Sequence, residues 1–245
     1  MKAVAIILAA GEARRMGHPK ALLEHEGGRS FLQSLVSTFG KAGCSVIGVI
    51  GKDAEAVREQ HPAVHLVEND GWQDGQLSSA VSGMEAAIED GADLVLFHPV
   101  DMPALRATTL KSLIKAMGDS VEGLRPEFEG APGFPIVLSR SAAERLREKD
   151  GGATTLEAVL RGMELRRIPV KDPGVVVNIN TPETYERLFG SAPKLAPPPK
   201  RRGKKSETTT SASSVSAPME MEAASERSPW LAEPASSATK AVGSP

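Results

Sequence analysis

Cysteine is almost missing from the 245-residue chain: Cys44 stands alone, so no disulfide can form within it. A single thiol fits a reducing cytoplasm, and its place just before an apolar run reads as that of a packed small residue. No stretch approaches the length of a membrane span. Met1-Lys2 leads into a short apolar run and then into charges, with no cleavable small-residue site, which argues against a secretory leader. Histidines number only five. His18 and His98 stand beside candidate motifs without an evident partner, which points away from histidine acid–base chemistry. Strong charge of one sign is lacking too, the formal net charge being −2. Residues 191–245 hold 8 of the 29 basic and 5 of the 31 acidic residues, so the first 190 residues are mildly acidic. That balance makes nucleic acid an improbable main partner.

The composition shifts near Gly190. Before it, apolar and polar segments alternate; after it come SAPKLAPPPKRRGKKSETTT and more of the same kind. Such a stretch buries too little apolar surface to offset the entropy of ordering. Residues 1–190 therefore read as one globular domain and 191–245 as a disordered low-complexity tail. The KRRGKK run of the tail could touch nucleic acid or an acidic partner, although a solvated tail is the commoner case.

What the chain does have begins at its start, where residues 3–23 read AVAIILAAGEARRMGHPKALL. Ala3 to Leu8 predicts a buried strand. It empties into Ala9-Ala10-Gly11, followed by Arg14, Arg15 and, after the rigid His18-Pro19 step, Lys20. A strand running into a glycine-bearing loop leaves backbone N–H groups free to face an anion. Guanidinium and ammonium groups add charge that neutralises a polyphosphate. Two familiar phosphate motifs are absent: Lys20 is followed by Ala21 rather than a hydroxyl residue, and Gly11-Glu12-Ala13 breaks G-x-G-x-x-G. From the residues alone, a phosphate loop of another kind and an ordinary solvated basic loop both stay open.

Beyond this loop the segments alternate as a βαβ protein requires. Ser30 can cap a helix running to about Gly40, with Phe31, Leu32, Leu35, Val36 and Phe39 on one face. Strands are predicted at 46–50, 64–67 and 94–97, and helices from Asp53 to before His61-Pro62, from Gln76 to Ile88, and from Thr108. Residues 94–97 are wholly apolar, as a central strand must be. Two more strands are expected around Gly130 to Gly133, then helices at 141–148 and 155–161 and a strand at 165–170. The run Gly174 to Val177 ends in Asn178-Ile179-Asn180; on a strand the two amides would share a face. Thr181 then caps a last helix with Pro182 in its first turn.

The strand at 94–97 runs into His98-Pro99-Val100-Asp101-Met102-Pro103. A carboxylate just past the carboxyl end of a central parallel strand lies where α/β sheets hold their ligands, and the flanking prolines stiffen its loop. Asp101 stands too early to cap the helix from Thr108, which leaves metal binding or a plain loop carboxylate.

LAAGEARRMGHPK resembles the signature L-A-A/G-G-x-S-x-R-M-G-x-x-K of the MobA/MocA-like nucleotidyltransferases, which have a Rossmann-like fold and grip a nucleoside triphosphate with it. Later segments agree in order: Asn69-x-x-Trp72-x-x-Gly75-Gln76-Leu77-Ser78-Ser79 resembles the second nucleotide loop, Val100-Asp101-Met102-Pro103 the metal-binding D-x-P, Gly133-Phe134-Pro135 the G-x-P step, and Asn178-Ile179-Asn180-Thr181-Pro182-Glu183 the closing D/N-x-D/N-T-P-E. The resemblance covers residues 3–190. It implies a three-layer α/β, Rossmann-like nucleotidyltransferase fold with a mostly parallel mixed sheet. It implies that Leu8, Ala9, Ala10, Gly11, Arg15, Lys20, Asn69, Gly75, Ser78 and Ser79 bind nucleotide, with Lys20, Arg15 and Asp101 as catalytic residues. Asp101 with Asn178 or Asn180 would hold Mg²⁺.

Ala10 and the Gly75–Ser79 turn resemble the branch that adds cytidylyl groups to the molybdenum cofactor, rather than the guanylyl branch. The implied partners are CTP or another nucleoside triphosphate, a molybdopterin-type or other phosphate acceptor, and a molybdoenzyme or its chaperone. Three positions depart from the pattern: Ala13 replaces a small hydroxyl residue, Asp150-Gly151-Gly152-Ala153-Thr154 matches G-D-x-G-A-R in part, and Asn178 and Asn180 replace aspartates. Neutral amides in place of carboxylates predict a weaker Mg²⁺ site. Transfer to a sugar phosphate, guanylyl transfer, and a non-catalytic cofactor-binding chaperone are the alternatives.

Overall fold

The computed structural model describes residues 1–118, 120–148 and 155–198. Its first half alternates strand and helix: β1 (Ala3–Leu8), α1 (Phe31–Lys41), β2 (Ser45–Ile50), α2 (Ala54–Gln60), β3 (His65–Glu68), α3 (Gln76–Glu89), β4 (Leu94–Pro99) and α4 (Ala107–Ala116). The second half adds β5 (Gly123–Phe128), β6 (Ala131–Pro132), β7 (Ile136–Ser139), α5 (Arg140–Glu148), α6 (Leu156–Arg161), β8 (Arg166–Pro169) and α7 (Pro182–Phe189). The strands lie in the order β3-β2-β1-β4-β7-β5-β6, with β8 paired to β5. β1 to β4 run parallel, β7 is antiparallel to β4 and β5, and β8 is parallel to β5.

Every residue of β1 is buried, because side chains on both faces of the sheet meet helices. Ala5 and Ile7 join a core with Phe31, Leu35 and Phe39 of α1, Val57 of α2, Leu110 and Leu113 of α4, and Tyr185 of α7. Val4, Ile6 and Leu8 point the other way, to Leu77, Ala80 and Met84 of α3, Ala143 and Leu146 of α5, and Val159 and Leu160 of α6. The result is a three-layer sandwich with a mixed sheet in its middle. Gly83 lets α3 lie close on that sheet, since a Cβ there would stand 2.4 Å from Ile6 Cγ2.

Most local signals are realised. The side chain of Ser30 accepts from the Gln33 amide at the start of α1, Thr155 caps α6, and Thr181 caps α7 with Pro182 in its first turn. Three differences stand out. The span 121–138 holds three strands rather than two, because the hairpin at Glu129 and Gly130, both at positive φ, returns through the two-residue β6 before Pro135. The apolar run at 174–177 is no strand. Asp172 accepts from the Gly174 amide and opens a short 3₁₀ turn at Pro173–Val175. Gly174 is pressed against Ala104, where a Cβ would lie 2.4 Å from the carbonyl oxygen. A turn held on both sides cannot extend along a sheet edge. Lastly, residues 194–196, which composition assigns to the tail, lie along 22–24: Glu24 N–H donates to Lys194 O and Ala196 N–H to Leu22 O, each at 2.8 Å. The tail from 199 onward, its KRRGKK run and the segment 150–154 lie outside the described residues. Among the described residues no helix is long and apolar enough to cross a membrane.

Candidate active site

The carboxyl ends of β1 and β4, side by side at the centre of the sheet, open into a cleft of about 220 Å³. Of the residues singled out above, Leu8, Ala9, Ala10 and Gly11 line it from β1, Gly75 and Ser79 from the start of α3, and Lys20 and Asp101 from the loops between. Trp72 and Gln76, from the segment that resembles the second nucleotide loop, also line it, as do Glu12 and Asp53, which no sequence signal had marked for that role.

The backbone at the end of β1 is only partly free. The Ala9 amide is committed to Val49 O at 2.9 Å, which extends the β1–β2 ladder by one residue. The Ala10 and Gly11 amides have no acceptor among the described residues, so the anion-facing run starts one residue later than the sequence suggested. Gly51 keeps this turn tight, because a Cβ there would lie 2.8 Å from Ala10 O and 2.7 Å from Trp72 Cβ. On the opposite wall α3 begins at Gln76 with no side-chain cap, behind Gly75 at φ 102°. Its first-turn N–H groups add the positive end of a helix dipole. Two independent sets of backbone donors thus border one cleft, which suits a polyphosphate.

Asn69 and Ser78 do not line the cleft; they build the turn that shapes it. Asn69 donates from Nδ2 to the hydroxyls of Ser78 and Ser79 at 2.9 and 3.0 Å, and its Oδ1 accepts from the Gly71 amide. Ser78 bonds onward to the Gly71 and Gly75 carbonyls. Arg15 is exposed and is not among the residues that line the cleft. Its neighbour Arg14 is turned to Glu12, at 2.6 Å, and that bond, with Lys52 nearby, holds the Glu12 carboxyl below its usual range.

The charged centre is Lys20 with Asp101. The Lys20 ammonium donates to Asp101 Oδ2 at 2.8 Å and to Asn180 Oδ1, with side chains only 21% and 13% exposed for Lys20 and Asp101. Asp101 Oδ1 is buried with no partner among the described residues. Asn180 arrives there because the Ile179 amide donates to Asp101 O at 2.8 Å, while Asn178 faces solvent. The two asparagines therefore do not act as a pair on one face. Behind them Asp172, 2% exposed, accepts from the Arg106 amide, the Thr109 hydroxyl and the Gly174 amide. An Asp before Pro-Gly is a turn signal, but nothing in the sequence ties it to residues 106 and 109. Gly133 and Phe134 dock on the same loop, the Phe134 amide donating to Val175 O at 2.8 Å. His98, unpartnered by sequence, donates from Nε2 to Met102 O at 2.9 Å and stitches the Asp101 loop. Burial pushes its pKa down to about 4.

Residues 5–170 match the MobA-like NTP transferase domain. The chain belongs to that family. Its fold is shared with Rv0371c from Mycobacterium tuberculosis H37Rv, solved by crystallography: TM-score 0.65 and 25% identity over 78% of this chain and 98% of that one. The same mycobacterial protein has been solved in complex with manganese, in a structure that aligns at 21% identity with a TM-score of 0.61. A Xanthomonas euvesicatoria protein named molybdenum cofactor guanylyltransferase is 28% identical over 199 residues, 77% of this chain and 95% of its own. A Paenarthrobacter nicotinovorans protein named nicotine blue oxidoreductase is 36% identical over 113 residues, 44% of this chain and 54% of its own. As a MobA-like transferase domain, the chain is a nucleotidyltransferase by family and by the placement of its cleft.

Proposed function

We propose that the cleft binds a nucleoside triphosphate, CTP by the branch pattern of Ala10 and Gly75–Ser79, and transfers its nucleoside monophosphate to the phosphate of a molybdopterin-type acceptor, releasing diphosphate. One observation carries the reading. Asp101 stands past the carboxyl end of β4 with Lys20 at 2.8 Å and with its other carboxylate oxygen buried and unpartnered among the described residues. A buried acceptor without a partner is costly, and a cation brought to the triphosphate would satisfy it. Mg²⁺ fits this donor set, because it takes one or two carboxylates and completes its shell with phosphates and waters. No group of three or more His, Cys, Asp or Glu among the described residues forms an all-protein cage instead. Asp101 and Asn180 would hold the ion, which when bound supplies positive charge at the α-phosphate.

The chain's own part is positioning and charge. The Ala10 and Gly11 amides and the first turn of α3 receive the phosphates, Lys20 neutralises them, and Arg15, exposed in the same loop, is the cation the nucleotide would draw in. An oxygen of the acceptor phosphate attacks the α-phosphorus. The new P–O bond forms as the bond to the bridging oxygen breaks, and its electron pair leaves with diphosphate. A phosphate nucleophile is already ionised, so no general base is needed, and no histidine is among the described residues that line the cleft.

The name of the Xanthomonas relative favours GTP as a second reading. A panel of CTP, GTP, ATP and UTP against molybdopterin and against sugar phosphates, read as diphosphate release, separates them. CTP-selective turnover with molybdopterin is expected. Turnover with GTP alone would move the protein to the guanylyl branch, and turnover only with a sugar phosphate would overturn the acceptor.

A further inference from the structure

Lys20 bonds to both side chains that the reading above offers to a metal ion, taking Asp101 Oδ2 while Oδ1 is left without a partner among the described residues. Its ammonium bridges Asp101 Oδ2, from the loop after β4, and Asn180 Oδ1, from the loop before α7. We infer that Lys20 is a built-in stand-in for the divalent cation, keeping the Asp101–Asn180 pair closed to free metal until a nucleoside triphosphate draws the ammonium onto its phosphates. This inference rests on the cleft being a nucleotide site.

Three features of the structure support it. The first is the anchoring of the lysine. Lys20 opens a 3₁₀ turn whose Ala21 and Leu22 are buried, and the Leu22 and Leu23 amides bond back to Pro19 O and Lys20 O. The backbone is therefore fixed, and the four-carbon stem is the part free to swing; a lysine is a flexible point charge. The second is the incomplete satisfaction of Asp101, whose Oδ1 stays buried without a partner. An ammonium fills one side of the carboxylate and leaves the other open, so the latch is held by less than a full set of bonds. The third is charge. Among the described residues Glu12, Asp53 and Asp101 line the cleft with Lys20, and Arg14 and Lys52 stand against Glu12 at 2.6 and 3.9 Å. Lys20 is thus the cation that balances Asp101, and a triphosphate that takes the ammonium leaves the carboxylate in need of the divalent cation it carries. Phosphate oxygens then compete for the ammonium while the cation replaces it on Asp101, and neither carboxylate nor lysine is left unpaired.

The consequence is an order of binding. If the ammonium holds Asp101 in nine molecules of ten, the apparent affinity for free metal falls about tenfold, in proportion to the open fraction. The full chain without nucleotide is titrated with Mn²⁺ and the free-ion resonance signal is followed, for the wild type, Lys20→Met, Asp101→Asn and the double variant. Lys20→Met is expected to bind Mn²⁺ about tenfold more tightly than the wild type, and the gain is expected to vanish in Lys20→Met/Asp101→Asn. Adding the α,β-methylene analogue of CTP should tighten Mn²⁺ on the wild type by more than on Lys20→Met. Should Lys20→Met fail to fold, Lys20→Gln keeps a donor without the charge and should show the same gain. Equal affinities for wild type and variant, or a gain that survives loss of Asp101, would overturn the inference. A protein that releases diphosphate yet shows no gain keeps the activity and loses the latch; a gain in a protein inert toward every triphosphate does the reverse.

Discussion

At the scale of single residues, hydrogen-bond accounting separates the polar groups that build the cleft from those that can act in it. Asn69 spends Oδ1 on Gly71 and Nδ2 on two serine hydroxyls, leaving little for a ligand. Asp101 keeps one oxygen in reserve. The two should fail differently. Asn69→Ala strips three bonds, one buried and two partly buried, and should lower stability by about 2–3 kcal/mol, read as a urea midpoint. Asp101→Asn keeps shape and an acceptor for Lys20, so circular dichroism and melting should hardly move. Diphosphate release should nevertheless fall by roughly 10³, about 4 kcal/mol of transition-state stabilisation; more than a tenth of wild-type turnover would remove Asp101 from the mechanism. The placement of Asp101 was legible in the sequence because it depends only on an apolar strand ending in a stiff loop. The different fates of Lys20 and Arg15 were not, since both are basic residues of one loop and only the fold turns one inward. Asp172 was hidden for a similar reason: its partners Arg106 and Thr109 lie 66 and 63 residues away.

At the scale of elements, sequence signals succeeded where a cap and a period act within one segment, as in α1 and α7. They failed at 174–177, where four apolar residues look like a strand and a buried carboxylate makes a turn of them. Tertiary contacts decide such short runs. The cleft inherits its width from α3, whose first turn forms one wall and whose Gly83 sits against β1 and β2. A methyl at that position would stand 2.4 Å from Ile6 Cγ2 and 2.7 Å from Val49 Cγ2, both fully buried. Gly83→Ala should therefore lift α3 off the sheet and cost about 1–3 kcal/mol. Because the amino end of the same helix lines the cleft, the KM for the triphosphate should rise with it. A variant of wild-type stability and unchanged KM would show that α3 accommodates the methyl without moving.

At the scale of the whole molecule, three histidines tie stability to pH: His98 and His25, and His61, whose pKa burial also lowers. His98 is fully buried between Phe39 and Phe134, and burial pushes its pKa down to about 4 against the opposing pull of its bond to Met102 O. His25 lies edge-on to Phe31 and Phe189 with neither ring nitrogen bonded among the described residues, and burial, helped by the charge of Arg29, pushes it down to about 4 as well. Both are neutral in the folded protein, while in the unfolded chain each titrates near 6.5. Between those values the unfolded state binds protons that the folded state refuses, so unfolding is favoured as pH drops. The contribution is fully present above about 6.5 and is lost as pH falls toward 4, at up to ~1.4 kcal/mol per pH unit for each ring. Urea midpoints should be level between pH 8 and 7 and fall steadily from 6.5 to 4.5. His25→Phe places a ring of similar size in a pocket that offers no hydrogen bond among the described residues, so it should raise the midpoint at pH 5 and remove part of the slope, with His98 and His61 carrying the rest. A slope unchanged in that variant would assign the acid sensitivity to other groups, with the carboxylates acting mainly below this window.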